Sequence, residues 1–140
     1  MEIAAVKLYI IAYLSTALVF LGCDVVWLSI AASRLYKPKL GPLLLDSFNA
    51  APAIAFYLLY ILGILVFAVF PALATARWTT ALGRGALLGL VAYATYDLTN
   101  QATLRGWSTA VTVADLCWGT ALTAIAAAGG FLATGWIVAR

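Results

Sequence analysis

Four apolar stretches, each close to the length that crosses a bilayer, occupy most of this 140-residue chain. In hydrocarbon every backbone N–H and C=O must bond within the chain, which leaves helices or a closed barrel, and a helical span takes ~20 residues. The stretches cover about 8–32, 52–70, 85–104 and 109–137, with short connections between them. The expected fold is therefore all-α: one polytopic membrane domain over residues 1–140, built as a compact four-transmembrane-helix bundle. Composition agrees, since 66% of residues are hydrophobic and 9% charged, against ~45–50% and ~25% in soluble domains. No length is left for a separate soluble domain.

The first stretch ends in Leu21-Gly22-Cys23, which superficially resembles a lipoprotein cleavage site. Phe20 fits that site poorly and the apolar run continues through Val25-Val26-Trp27-Leu28, so a retained span is expected. The connection from Ser33 to Ala51 carries Arg34, Lys37 and Lys39, then Gly41-Pro42 and three leucines, a pattern for a short interfacial segment between helices 1 and 2. Asn49 and Pro52 mark the start of the second helix, and Pro71 is expected to stop it. Gly85 and Gly89 open the third with a G-x-x-x-G spacing that permits close helix contact, within the chain or in a homodimer. The fourth is rich in Ala, Gly and Thr from Ala121 to Gly130, which also suits close packing.

What the chain lacks narrows its chemistry. It has no histidine, which removes imidazole haem ligation, the usual zinc sites and any Ser-His or Cys-His triad. Cys23 and Cys117 lie in separate spans without a C-x-x-C, so they read as small buried residues. The net charge of +3 comes from cations scattered near span ends, where they anchor headgroups. They do not form a nucleic-acid patch, and no cofactor is implied.

Acidic residues inside the spans carry the functional signal. A carboxylate at the centre of a membrane helix costs about 2.5–3.5 kcal/mol on insertion scales, which makes it a functional-site hypothesis by default. The stretch Tyr93-Ala-Thr-Tyr96-Asp97-Leu-Thr-Asn100-Gln101 puts Tyr93, Asp97, Asn100 and Gln101 near one helical face. Asp24 and Asp115 lie in the first and fourth spans, each followed three residues later by a tryptophan, Trp27 and Trp118. With four spans both termini share one side of the membrane. At 1.5 Å per residue the three carboxylates then fall in the opposite half of the bilayer, roughly 4–10 Å from the midplane, with Asp97 as the middle member. Tyr57, Trp27, Trp118, Asn100 and Gln101 share that half.

Three carboxyls in a low-dielectric pocket cannot all ionise together, so at least one is expected to hold a proton. The functional reading is a proton-linked or cation-binding pocket lined by Asp97, Asp24, Asp115, Asn100, Gln101, Tyr93, Tyr57, Trp27 and Trp118. The bland reading is a polar network tying helices together. Interhelical hydrogen bonds average only about 0.6 kcal/mol, so three acids make expensive glue. An all-oxygen metal site from the same aspartates has no support in spacing and is not expected. An intramembrane aspartyl protease is rejected, because the Gly-x-Gly-Asp element is missing.

Taken together, Phe56-Tyr57-Leu-Leu-Tyr60, Phe67-Ala-Val-Phe-Pro71-Ala72, Tyr93-Ala-Thr-Tyr96-Asp97-Leu-Thr-Asn100, Ala102-Thr-Leu-Arg105-Gly-Trp107 and Asp115-Leu-Cys-Trp118 carry a family likeness. The chain resembles a bacterial family of small inner-membrane proteins defined as domain of unknown function 2177. That resemblance implies a multi-pass protein of the bacterial inner membrane and no particular activity. The expectation is binding or transport of a small amphipathic, lipid-like or cationic ligand with proton linkage, in contact with the lipid bilayer. A lipid-modifying enzyme with paired carboxyls as acid and base, and a structural subunit of a larger complex, are the alternatives; the non-enzyme reading is preferred. Orientation is open, because Lys7, Arg77, Arg84 and Arg140 on one side match Arg34, Lys37, Lys39 and Arg105 on the other.

Overall fold

The computed structural model describes residues 2–139, so Arg140 of the charge comparison lies outside the described residues. Four long helices run up and down with no strand among the described residues. Helix α1 covers residues 2–40, α2 Ala50–Thr75, α3 Trp78–Thr103 and α4 Thr109–Val138. Three of them, α1, α2 and α4, are long and apolar enough to cross a membrane. Helix α3 has the length, with 26 residues, but carries the polar stretch around Asp97.

Two helices run further than their sequence suggests, and proline explains both. Pro71 does not stop α2, which continues to Thr75 and ends where Ala76 turns left-handed (φ 52°). Similarly, α1 continues past Ala32 to Leu40, so the expected interfacial segment shrinks to the short 3₁₀ turn Gly41–Leu43 and residues 44–49. In each helix a π-helical turn lies just upstream of the proline: Ala32–Tyr36 before Pro38, and Leu65–Val69 before Pro71. A proline inside a helix lacks an N–H and presses on the carbonyl four residues back. A wider turn with one extra residue relieves that pressure without breaking the helix. At Pro71 the relieved carbonyl, that of Phe67, also receives a long contact from Arg84 Nη1 at 3.5 Å.

Helix α4 is the axis of the molecule, packing against α1 on one side and α3 on the other. Small residues make this possible. A side chain on Gly85 would meet Ala127 Cβ and Thr123 O at 2.8 Å, and one on Gly89 would run into the Gly119 carbonyl and Thr123. The G-x-x-x-G face is therefore used inside the chain, against α4. On the other side Gly130 lies directly against Thr16 of α1. In a bilayer such contacts gain van der Waals energy and do not rely on the hydrophobic effect.

The second half of α2 closes the core, with Ile64, Leu65, Ala68, Val69 and Ala72 buried against Phe20 and Leu122. That half packs closely on α3, whereas the first half, Ala50–Ile64, leans on α1 and approaches α3 through the Tyr60 ring, edge-on to Tyr93. Tyr57 and Tyr60 meet the Phe20 ring edge-on at 6.0 and 5.5 Å. The consequence is a gap between the first half of α2 and the second half of α3.

Candidate functional site

Antiparallel packing of α1 on α4 brings the two Asp-x-x-Trp motifs together, with Asp24 opposite Trp118 and Trp27 opposite Asp115. The indole rings of Trp27 and Trp118 stack with centroids 4.6 Å apart and planes 8° from parallel. Each aspartate then takes a tyrosine. Tyr57 OH donates to Asp24 Oδ2 at 2.6 Å, and Tyr36 OH donates to Asp115 Oδ1 at 2.5 Å. The tryptophans add their N–H groups crosswise: Trp118 Nε1 makes a long 3.5 Å contact to Asp24 Oδ1, and Trp27 Nε1 donates to the Tyr36 hydroxyl at 3.0 Å.

Asp97 has no such support. It is completely buried, and among the described residues neither carboxyl oxygen has a hydrogen-bond partner. Asp115 lies within electrostatic reach of both Asp24 and Asp97. Asp115, not Asp97, is therefore the middle member of the three. Among the described residues no ion pair or hydrogen bond joins any of these carboxylates to a Lys or Arg. Nor, among those residues, do three acidic or thiol groups come close enough to hold a metal ion.

The gap between α2 and α3 forms a cleft of about 300 Å³ lined by Phe56, Ala92, Tyr93, Tyr96 and Asp115. Tyr93 lies with its ring flat against Gly119, where any side chain would collide with it. Its ring also meets Tyr60 edge-on at 6.4 Å, and Tyr60 OH shares a hydrogen bond with Thr123 Oγ1 at 2.8 Å. Gly119 thus lets α3 come close to α4 and holds a tyrosine at the cleft wall.

The residues expected from sequence divide into four groups. Asp24, Tyr57, Trp27 and Trp118 form the network behind the cleft, and Asp115 and Tyr93 reach the cleft itself. Asp97 is buried and does not line the cleft, but it lies within electrostatic reach of Tyr96 and Asp115, which do. Asn100 lies half-buried beside the Tyr96 hydroxyl, while Gln101 is exposed and donates to Thr109 Oγ1 at 2.9 Å, fastening the α3–α4 turn.

Tyr36 is the site residue that sequence periodicity misses. Nine residues along a regular helix is about 900°, which puts Tyr36 on the face opposite Trp27. The π turn absorbs one residue and swings it back to within about 80°, where it bridges Trp27 and Asp115. Pro38, two residues downstream of that turn, is the only sequence signal of the change.

A family model described as "Predicted membrane protein (DUF2177)" aligns with residues 9–132. No curated protein and no solved structure matches the chain.

Proposed function

The chain belongs to the DUF2177 family of predicted membrane proteins, and from that premise we propose that it binds an amphipathic cation from within the bilayer and couples its occupancy to proton release. All four helices span in this reading, including α3, and the membrane is the bacterial inner membrane. The polar side chains of α3 suit a span: Thr95, Thr99 and Thr103 each bond a carbonyl four residues back on their own helix. Hydroxyls satisfied in this way ask nothing of the lipid.

The observation that carries the proposal is a carboxylate, Asp115, on the wall of an open cleft with no Lys or Arg paired to it among the described residues. A ligand ammonium would supply the missing charge. The rings of Phe56, Tyr93 and Tyr96 surround that position, and aromatic faces attract cations at about 0.5–2 kcal/mol each. Behind them Asp97, buried and unpaired, is the natural holder of a proton, because burying an unpaired carboxylate is far costlier than burying the neutral acid. Deprotonation of Asp97 would strengthen the field at Asp115, so cation affinity is expected to rise with pH.

Equilibrium binding of benzyltrimethylammonium to the protein in lipid nanodiscs tests this reading. Asp115→Asn should lose binding by at least tenfold. Asp97→Asn should stay folded and bind with a flattened pH dependence. Wild-type affinity and pH response in both variants would overturn the proposal.

A further inference from the structure

The polar cleft does not end at its aromatic wall. Phe56 of α2 and Ala92 of α3 also line a second hollow of about 440 Å³, which runs between the same two helices toward Phe67 and Leu88. The two hollows share Phe56 and Ala92 and so adjoin along the same pair of helices, a trough with unlike ends. One end presents Asp115 together with the Tyr93 and Tyr96 rings. The other is hydrocarbon-like. Its one polar side chain is Tyr60, and the Tyr60 hydroxyl is already engaged with Thr123.

Length adds to the match. From Phe56 to Phe67 the α2 axis advances about 17 Å at 1.5 Å per residue. One leaflet of hydrocarbon is about 15 Å deep, half of a ~30 Å core. The trough thus has the reach of a single lipid chain lying along the helices. It opens sideways: Leu59, Leu62, Val66 and Phe67 along its α2 wall are all exposed.

We propose that the trough is a binding site for a single-chain amphiphile with an amine or ammonium headgroup, its head against Asp115 and its tail along Leu62, Val66 and Leu88. This rests on the cation-binding reading above and adds the tail and the lateral route. Charge complementarity selects the head: the polar end holds an uncompensated carboxylate, with the unpaired Asp97 buried behind it. An anionic or phosphate-only head would face repulsion there.

Gly63 provides a test that leaves the fold intact. It lines the apolar hollow, and a Cβ built on it meets nothing within 4 Å, so a larger side chain starts from open space. Gly63→Trp should fill the trough without disturbing Asp115. The probe is dodecyltrimethylammonium carrying a diazirine at the tail end, photolysed with the protein in nanodiscs and mapped by mass spectrometry. Labelling should concentrate on the segments around Val66 and Leu88 and fall at least tenfold in Gly63→Trp, while benzyltrimethylammonium binds that variant as it binds wild type. Labelling spread over the outer faces of α1 and α4, or undiminished by Gly63→Trp, would overturn the inference. So would equal labelling by an uncharged dodecyl alcohol bearing the same diazirine. Failure of wild type to bind benzyltrimethylammonium would instead overturn the parent reading.

Discussion

At the scale of single residues, the site depends on pairing two of its three buried acids with a donor and leaving the third unpaired. Asp24 and Asp115 each accept from a tyrosine, and Asp97 accepts from nothing. Tyr36→Phe removes the hydroxyl that joins Trp27 to Asp115, leaving an indole N–H and a carboxyl oxygen short of partners. The expected cost is about 1–3 kcal/mol, read as a lower thermal midpoint in detergent, with the Trp27–Trp118 stack loosened in near-ultraviolet circular dichroism. An unchanged midpoint would show that the bridge contributes nothing. The three aspartates and two tryptophans are legible in the sequence because charge inside an apolar run has few explanations and depth can be counted along a helix. Tyr36 is not, because its position depends on a π turn that ordinary 3.6-residue counting does not contain. The unpaired state of Asp97 is equally invisible, since it follows from what neighbouring helices fail to bring.

At the scale of helices, small residues decide how close the elements come. Gly119 and Gly135 lie on the same helix and should answer alanine in opposite ways. Gly119→Ala drives a methyl into the Tyr93 ring and should destabilise by about 1–3 kcal/mol through overpacking. At Gly135 an added methyl meets nothing, so alanine should be neutral or stabilise by up to ~1 kcal/mol through helix propensity. Comparing detergent melting curves of the two proteins checks this pair, and equal shifts would contradict it. The G-x-x-x-G spacing is readable in the sequence, but its partner is not, because the same motif serves intramolecular and intermolecular contacts alike. The prolines are ambiguous for a related reason. In water Pro71 would end a helix, whereas a π turn keeps this one continuous and its carbonyls bonded.

For the whole molecule, the decisive arrangement is a central α4 with α1 and α3 on its flanks and α2 closed at one end only. Helix class and approximate helix bounds follow from hydropathy, while the splay of α2 comes from packing partners far apart in sequence and leaves no periodic trace. If α3 spans, the turns before and after it face opposite compartments. Single cysteines at Ala74 and Arg105, placed in a Cys-free background, should then react with an impermeant maleimide from opposite sides of sealed vesicles. Reaction from one side for both would show that α3 does not cross. The central claim is that the cleft between α2 and α3 receives a cation. Its most direct measurement is a structure determined with bromobenzyltrimethylammonium, locating bromine by anomalous scattering. The account predicts a peak among Phe56, Tyr93 and Tyr96 with the ammonium beside Asp115, and its loss in Asp115→Asn; bromine found only on the outer surface, with the cleft empty, would contradict it.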